Sequence, residues 1–279
     1  MTDKFFYILE EKNLDELQDQ GFIDIEIENT NINDYYLFLN QNLKILVQKT
    51  GKDHFKAVRY KNPLTTVAPK DARQSSMVHC LTQTDIPLTV ILGTAGTGKT
   101  FLATAYAMKE YDSNNKKLVF SKAAIPIGKG RAFGPVPGDI QQKYAPFLDS
   151  FKLVLQKILG EKSKAYIEFL MQKSDLQYQP IEFVRGNTYE NCTFILDECQ
   201  NLTWHELKTV ISRIGEGSKL ILLGDVNQSD LFLKSGEKSG VEVLIGSETF
   251  KNSVYTSKII LTKQYRGPLA DLVYKIDNE

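Results

Sequence analysis

The sequence predicts an α/β fold: a mostly parallel sheet flanked by helices, with a small β-rich extension at its N-terminal end. Two observations predict the parallel sheet. An apolar, β-branched run, Leu88-Thr89-Val90-Ile91-Leu92, enters Gly93-Thr94-Ala95-Gly96-Thr97-Gly98-Lys99-Thr100, after which Phe101, Leu102, Ala105 and Tyr106 recur at helical spacing. Two later apolar runs, Cys192-Thr193-Phe194-Ile195-Leu196 and Lys219-Leu220-Ile221-Leu222-Leu223, end in the polar residues Asp197-Glu198 and Asp225 with Gln228. Strands buried on both faces read this way, and ligands bind at their carboxyl ends. A third observation, the strict alternation Ile23-Asp24-Ile25-Glu26-Ile27, predicts the extension.

The chain has 279 residues, 42% hydrophobic and 24% charged, which suits one large domain with a small addition. A formal net charge of zero creates no overall field toward nucleic acid or membrane, so a polyanion has to be met by a local patch. Three cysteines with no Cys-x-x-Cys pair, and no cationic-then-apolar opening segment, point to a reducing, cytoplasmic setting. The apolar runs are far shorter than the ~20 residues of a membrane-spanning helix.

Residues 1–62 read as the β extension, antiparallel, with further short strands at Tyr36-Leu37-Phe38-Leu39, Ile45-Leu46-Val47 and Phe55-Lys56-Ala57-Val58. It holds no glycine-rich loop and no metal-ligand spacing. Residues 63–279 form the main domain, entered through the proline-marked linker Lys61-Asn62-Pro63 and Ala68-Pro69-Lys70. From Asp71 the spacing of Met77, Val78 and Leu81 predicts a helix, on which spacing alone makes Gln74 a solvated residue.

Strand, glycine loop and helix then stand in the order that a phosphate-binding loop requires. Glycines let backbone N–H groups converge on an anion, and the new helix adds the positive end of its dipole. Gly93, Thr94, Ala95, Gly96, Thr97, Gly98, Lys99, Thr100 and Phe101 are the candidate nucleotide contacts. Lys99 is suited to the β- and γ-phosphates and the Thr100 hydroxyl to Mg²⁺.

Lys117-Leu118-Val119-Phe120 reads as the next buried strand. The glycine- and proline-rich loop 125–138 follows, where Lys129, Arg131 and Phe133 suit phosphate contact and base stacking, and equally plain solvation. A helical region begins at Asp139, is interrupted by Pro146, and resumes through Phe147, Phe151, Val154, Leu155 and Ile158 to Gly160; Tyr166-Ile167-Glu168-Phe169-Leu170 adds a second amphipathic piece.

At the end of the Cys192 strand, Asp197 suits a hard cation and Glu198 suits orientation and deprotonation of an attacking water. Thr203-Trp204-His205-Glu206 is a capping box, opening a helix with Leu207, Val210, Ile211 and Ile214 on one face up to Gly215. His205, His54 and His79 lack ligand partners at useful spacing and read as surface or supporting residues. Past the Lys219 strand, Gln228 suits contact with the γ-phosphate or the water, and Asp225 an outer position around the metal. Ile259-Ile260-Leu261-Thr262 is the last strand, with Arg266 just beyond it and a final helix carrying Leu269, Leu272, Val273 and Ile276 on one face. Arg266 suits neutralisation of transition-state charge, and equally a solvated helix start.

From Pro69 to Ile276 these blocks together resemble the PhoH family of P-loop ATPases, whose core is similar to the first motor domain of superfamily-one helicases. The resemblance also rests on Pro137-Gly138-Asp139 with Lys143 and Pro146, on Arg185-Gly186-Asn187-Thr188, on Leu196-Asp197-Glu198-Cys199-Gln200-Asn201-Leu202-Thr203, and on Thr209 with Arg213-Ile214-Gly215. It implies a RecA-like P-loop NTPase fold and Mg²⁺-dependent ATP hydrolysis by Lys99, Asp197 and Glu198. It further implies a γ-phosphate sensor in Gln228, an adenine contact from Gln74, and a match of Arg266 to the family's arginine near the C-terminus.

The chain departs from the family pattern in Cys199, where Ala is frequent, and in Phe133-Gly134-Pro135-Val136-Pro137-Gly138. The acidic cluster of a PIN nuclease is missing from residues 1–60, so nuclease activity is not expected. With one glycine loop per chain, Arg266 acting as a finger would enter a neighbour's site. That predicts a homo-oligomeric ring, a hexamer as the resemblance suggests. The expected output is a motor or remodeller acting on RNA or single-stranded DNA; the alternative is a nucleotide-dependent switch that binds protein partners through the N-terminal extension.

Overall fold

The computed structural model describes residues 5–59, 61–64, 67–123, 140–160, 163–229, 231 and 237–267, with the backbone alone for 140–147. The expected loop 125–138, with Lys129, Arg131 and Phe133, and the final helix through Ile276 lie outside these residues.

The N-terminal part contains β1 (Phe6–Ile8), α1 (Glu11–Gln20), β2 (Phe22–Asp24), β3 (Tyr35–Leu39), β4 (Lys44–Lys49) and β5 (His54–Ala57). They make a five-stranded sheet in the order β1-β3-β4-β5-β2. Its β1 pairs with β3 in parallel and the other neighbours are antiparallel, which corrects the purely antiparallel expectation. The parallel pair exists because α1 lies between β1 and the rest of the chain. Leu14 and Leu17, one helical turn apart, bury that helix against Ile23, Phe38, Val47 and Phe55. Gly21 ends it at φ 83°. The alternation that began at Ile23 persists as strand only to Asp24.

The main sheet comprises β6 (Leu88–Gly93), β7 (Lys117–Lys122), β8 (Leu176–Tyr178), β9 (Cys192–Asp197), β10 (Lys219–Gly224) and β11 (Thr256–Leu261). Its order is β11-β6-β10-β9-β7-β8, and every pairing is parallel. Alternate side chains of these strands feed two cores. Ile91, Ile221 and Leu223 pack with Met77 of α2 (Ala72–Thr82), Leu102 of α3 (Lys99–Asn114), Phe151 of α4 (Ile140–Leu159) and Ile167 of α5 (Ser163–Gln172). Val90, Leu92, Leu220 and Leu222 pack with Leu207 of α6 (Trp204–Ile211), Val241 of α7 (Gly240–Gly246) and Phe250 of α8 (Glu248–Lys251). Each such buried side chain contributes about 1.5–3 kcal/mol of transfer free energy. The two-sided burial explains why the strands read as continuous apolar runs.

Two helix expectations need correction. Helix α4 runs unbroken through Pro146, because one lost hydrogen bond near its start is outweighed by the burial of Phe151, Leu155 and Ile158 farther along. Helix α6 stops at Ile211, since Ile214 leaves the helix to bridge Tyr189. Its capping box is present, with the Glu206 carboxylate accepting from Thr203 N at 2.8 Å.

The N-terminal sheet meets the main sheet along the outer edge of β11. Asn33 Nδ2 donates to the carbonyls of Val254 and Thr256, Asp34 Oδ1 accepts from Lys258 N, and Arg73 of α2 donates to Ile260 O at 2.8 Å. Side chains thus take the place of a further strand on an edge that would otherwise offer unpaired backbone groups.

Candidate functional site

Four segments converge at the carboxyl ends of β6, β9, β10 and β11. The glycine loop leaves β6 at Gly93, where a methyl group would stand 2.3 Å from Leu261 O of β11, so only glycine lets the two strands lie this close. Gly98 caps α3 in the left-handed region at φ 93°, turning the chain so that the first helical N–H groups face the loop's concavity. The Lys99 ammonium donates to Gly93 O, and to Thr94 O at 3.0 Å, across that concavity. Burial draws this ammonium below its ordinary pKa, opposed by the charges of Asp197, Asp225 and Glu198.

Across from the loop, Thr100 Oγ1 donates to Asp197 Oδ2 at 3.1 Å. Burial and the adjacent Glu198 charge push the Asp197 carboxyl above its usual range. Glu198 takes a left-handed backbone conformation, φ 58°, uncommon for a residue with a side chain, and its N–H donates to Asp197 Oδ1 at 3.0 Å. Gln200 then joins the strand ends. Its amide nitrogen donates to Glu198 Oε2 at 2.8 Å and to Gln228 O at 3.2 Å, and its amide oxygen accepts from Asp225 N at 3.0 Å. Asp225 Oδ2 is buried with no hydrogen-bond partner.

The third side is built from α2 and the segment after β11. Gln74, 4% exposed, donates through Nε2 to Thr97 O at 2.9 Å and accepts from Lys70 N at 2.8 Å, which corrects its reading as a solvated residue. Tyr265 N donates to Gly96 O at 3.0 Å, and its hydroxyl donates to Asp71 Oδ2 at 2.6 Å. The Arg266 stem lies against Gly96, where a methyl would come within 3.0 Å of its Cγ. Lys70, Gln74, Gly96, Tyr265 and Arg266 line a cleft of 510 Å³ together with Lys99, Asp197 and Glu198, and Lys122, Phe151 and Lys157 line it as well.

The residues present suit a nucleoside triphosphate with a magnesium ion. A partnerless buried carboxylate oxygen on Asp225, and an Asp197 carboxyl raised by burial and by Glu198 in spite of the nearby Lys122 charge, leave a place for an additional cation. Among the described residues no three His, Cys, Asp or Glu side chains form a closed metal cage. Mg²⁺ fits that pattern, because it keeps several waters and binds through one or two protein oxygens plus phosphate.

Lys99, Thr100, Asp197, Glu198, Gln228 and Arg266 are thus brought together in one cleft with Gln74 and Phe101. His205 lies apart, exposed and 2.8 Å from an Arg185 nitrogen. Sequence reasoning missed Gln200, Tyr265 and Asp71 as parts of the site. Gln200 lay in the block after Asp197-Glu198, but a glutamine there carries no visible role until the strands are side by side.

A family profile described as PhoH-like protein matches residues 66–276. Protein PhoH2 of Bacillus subtilis (strain 168) is 31% identical over 230 residues, covering 81% of this chain and 51% of the relative. A PhoH-like protein of a Synechocystis species is 37% identical over 178 residues, 63% of this chain and 52% of the relative. The chain spans about half the length of these curated relatives. Among solved structures, the Pif1 helicase of Candida albicans overlaps 76% of this chain and 44% of its own, at a TM-score of 0.38 and 16% identity, a distant overlap that bears on neither activity nor partners. On the profile match and the Bacillus relative, this chain belongs to the PhoH-like protein family.

Proposed function

We propose that this chain hydrolyses ATP in the cytoplasm with Mg²⁺ as cofactor, and that hydrolysis drives binding or remodelling of RNA or single-stranded DNA. The observation that carries the reading is the Thr100 to Asp197 hydrogen bond, 3.1 Å, which joins the helix start of the glycine loop to the acidic end of β9. Thr100 and Asp197 would hold the metal, and the loop N–H groups with Lys99 the phosphates. When bound, the ion neutralises charge between the β- and γ-phosphates. Glu198 orients a water and takes its proton as the water oxygen attacks phosphorus and the bond to the bridging oxygen breaks, releasing ADP and phosphate. The backbone of Gln228, tied to Gln200, keeps the Gln228 side chain at the γ-phosphate end, where it reports the presence of that phosphate.

The Arg266 stem on Gly96 of the same chain supports action of that guanidinium in its own cleft. A hexameric ring is then supported by the family resemblance alone. The free, buried Cys80, Cys192 and Cys199 accord with a reducing compartment, and among the described residues no helix is long and apolar enough to cross a membrane.

Replacing Glu198 with Gln should leave ATP binding intact and collapse turnover; undiminished turnover overturns the water-activation role. ATPase rates with and without single-stranded RNA and DNA test the coupling, and light scattering after size exclusion tests the ring. A second reading, a nucleotide-dependent switch for protein partners, is favoured by Phe6 and Ile8, 56% and 83% exposed on the edge strand β1. Slow turnover with nucleotide-dependent capture of a partner would select it.

A further inference from the structure

Outside the cleft, two segments that the nucleotide chemistry does not use meet at the surface. The connection from β8 to β9 passes through a short 3₁₀ turn, Ile181–Phe183, and on to Arg185. Val184 is fully buried in the same core as Leu207 of α6, which docks the turn against the helix, while its neighbours Phe183 and Arg185 are exposed. Asn187 Nδ2 donates to Phe183 O at 3.3 Å and closes the turn on itself. Where turn and helix touch, the Arg185 guanidinium donates to His205 Nε2 at 2.8 Å. A guanidinium has no acceptor, so the imidazole supplies the lone pair, and of the five N–H donors of the arginine this bond engages one.

Aromatic surface stands beside this cation. Phe183 is 45% exposed and Trp204, at the first position of α6, is 39% exposed. Lys208, also exposed, follows Trp204 by one helical turn and so shares its face. The Glu206 carboxylate of the same helix is folded back onto Thr203, accepting from its N–H at 2.8 Å and its hydroxyl at 2.7 Å. Glu182, exposed on the turn, opposes a polyanion, so stacking has to carry more of the grip than charge does. Unpaired bases stack on exposed aromatic rings while a guanidinium and an ammonium take the phosphates between them. Bases inside a duplex already have their stacking partners.

This surface also adjoins the proposed chemistry along the chain. Glu198 and Trp204 bracket one short segment, in which Gln200 donates to the Glu198 carboxylate at 2.8 Å and Thr203 caps α6. A ligand pressing on the first turn of α6 therefore bears on the segment that holds the acid. We infer that Phe183, Arg185, Trp204 and Lys208 form a docking surface for single-stranded nucleic acid. The inference rests on the nucleic-acid reading above and gives that partner its point of contact.

The chain holds a single tryptophan, so the emission of Trp204 reports on this surface alone. The test titrates the full chain with fluorescein-labelled oligo(U) and oligo(dT) strands of about 20 nucleotides and with a duplex of the same length, following label anisotropy and tryptophan emission together. The expected result is binding of a single strand with parallel quenching of Trp204, and duplex binding weaker by about tenfold or more. Arg185→Ala and Trp204→Ala should each weaken strand binding by about tenfold, with ATP turnover in the absence of a strand within about twofold of wild type. If Trp204→Ala does not fold, Arg185→Ala and the wild-type emission decide. A strand that binds while Trp204 emission stays constant and both variants hold it within about threefold overturns the inference and leaves the nucleic-acid reading standing, with its contact elsewhere. Equal affinity for strand and duplex overturns the single-strand assignment. Absence of binding to both strands at low salt removes this surface and the nucleic-acid reading together, and turns the exposed aromatics over to a protein partner.

Discussion

Gln200 donates its side-chain amide to the Glu198 carboxylate at 2.8 Å while only 1% exposed. The acid proposed to activate water is therefore held by a residue that also grips β10 and the backbone of Gln228. A hydrogen bond to a charged group is worth about 1.5–3 kcal/mol. Gln200→Ala is expected to lower kcat for ATP by about 10- to 10²-fold with KM nearly constant, because the lost bond orients the acid and does not touch the phosphates. Steady-state kinetics decide this; a rise in KM at constant kcat would place Gln200 in nucleotide binding instead.

Tyr35 of the N-terminal sheet meets His79 of α2, hydroxyl to Nδ1, at 2.8 Å. Burial, helped by the Lys56 charge, pulls the imidazole down to about 4. The unfolded chain, with an ordinary histidine near 6.5, binds a proton in the window between these values that the folded chain refuses. Stability is therefore full above about pH 6.5 and falls as pH drops toward 4, by at most about 3 kcal/mol, less where solvent reaches the ring. Urea midpoints across pH 4–7 should show this slope, flattened in His79→Gln. Equal slopes in the two proteins would assign the effect to other groups.

How far the sequence reveals this molecule depends on the range of the contacts involved. The glycine loop, the acidic end of β9 and the capping box at Thr203 are local patterns, and each was legible because a strand end or helix start is set by its own neighbours. Helix α1 was not, since just Leu14 and Leu17 mark its buried face. The sheet was legible as a set of strands, whereas its order was not, because parallel neighbours are far apart in the chain. Gln74 shows the same limit within the site: helical spacing makes it a surface residue, and only the arrival of Thr97 buries it.

The side chains along β11 give a prediction about the N-terminal sheet. Asn33, itself 7% exposed, supplies one amide to the carbonyl of Val254, just before the last strand, and to that of Thr256 at its start, 2.8 and 3.2 Å away. Asn33→Ala orphans both and places a side chain with no local hydrogen bonding at φ 62°. A loss of about 1–3 kcal/mol is expected, read as a lower urea midpoint, together with concentration-dependent association through the opened edge. An unchanged midpoint would mean that water replaces the amide at no cost.

Gly224 provides the sharpest test of the Gln200 bridge. A methyl there would stand 2.6 Å from Gln200 Oε1 and 2.8 Å from Cys199 Sγ, both on buried side chains. The nearest relief is for the Gln200 amide to swing away, which breaks its bonds to Asp225 and Glu198 together. Gly224→Ala should therefore lower kcat by about the same factor as Gln200→Ala. The double variant should be no worse than either single one, because the second change removes a contact already lost. Losses that instead multiply in the double variant would mean that glycine is required here for β10 itself and that the bridge to Glu198 survives the added methyl.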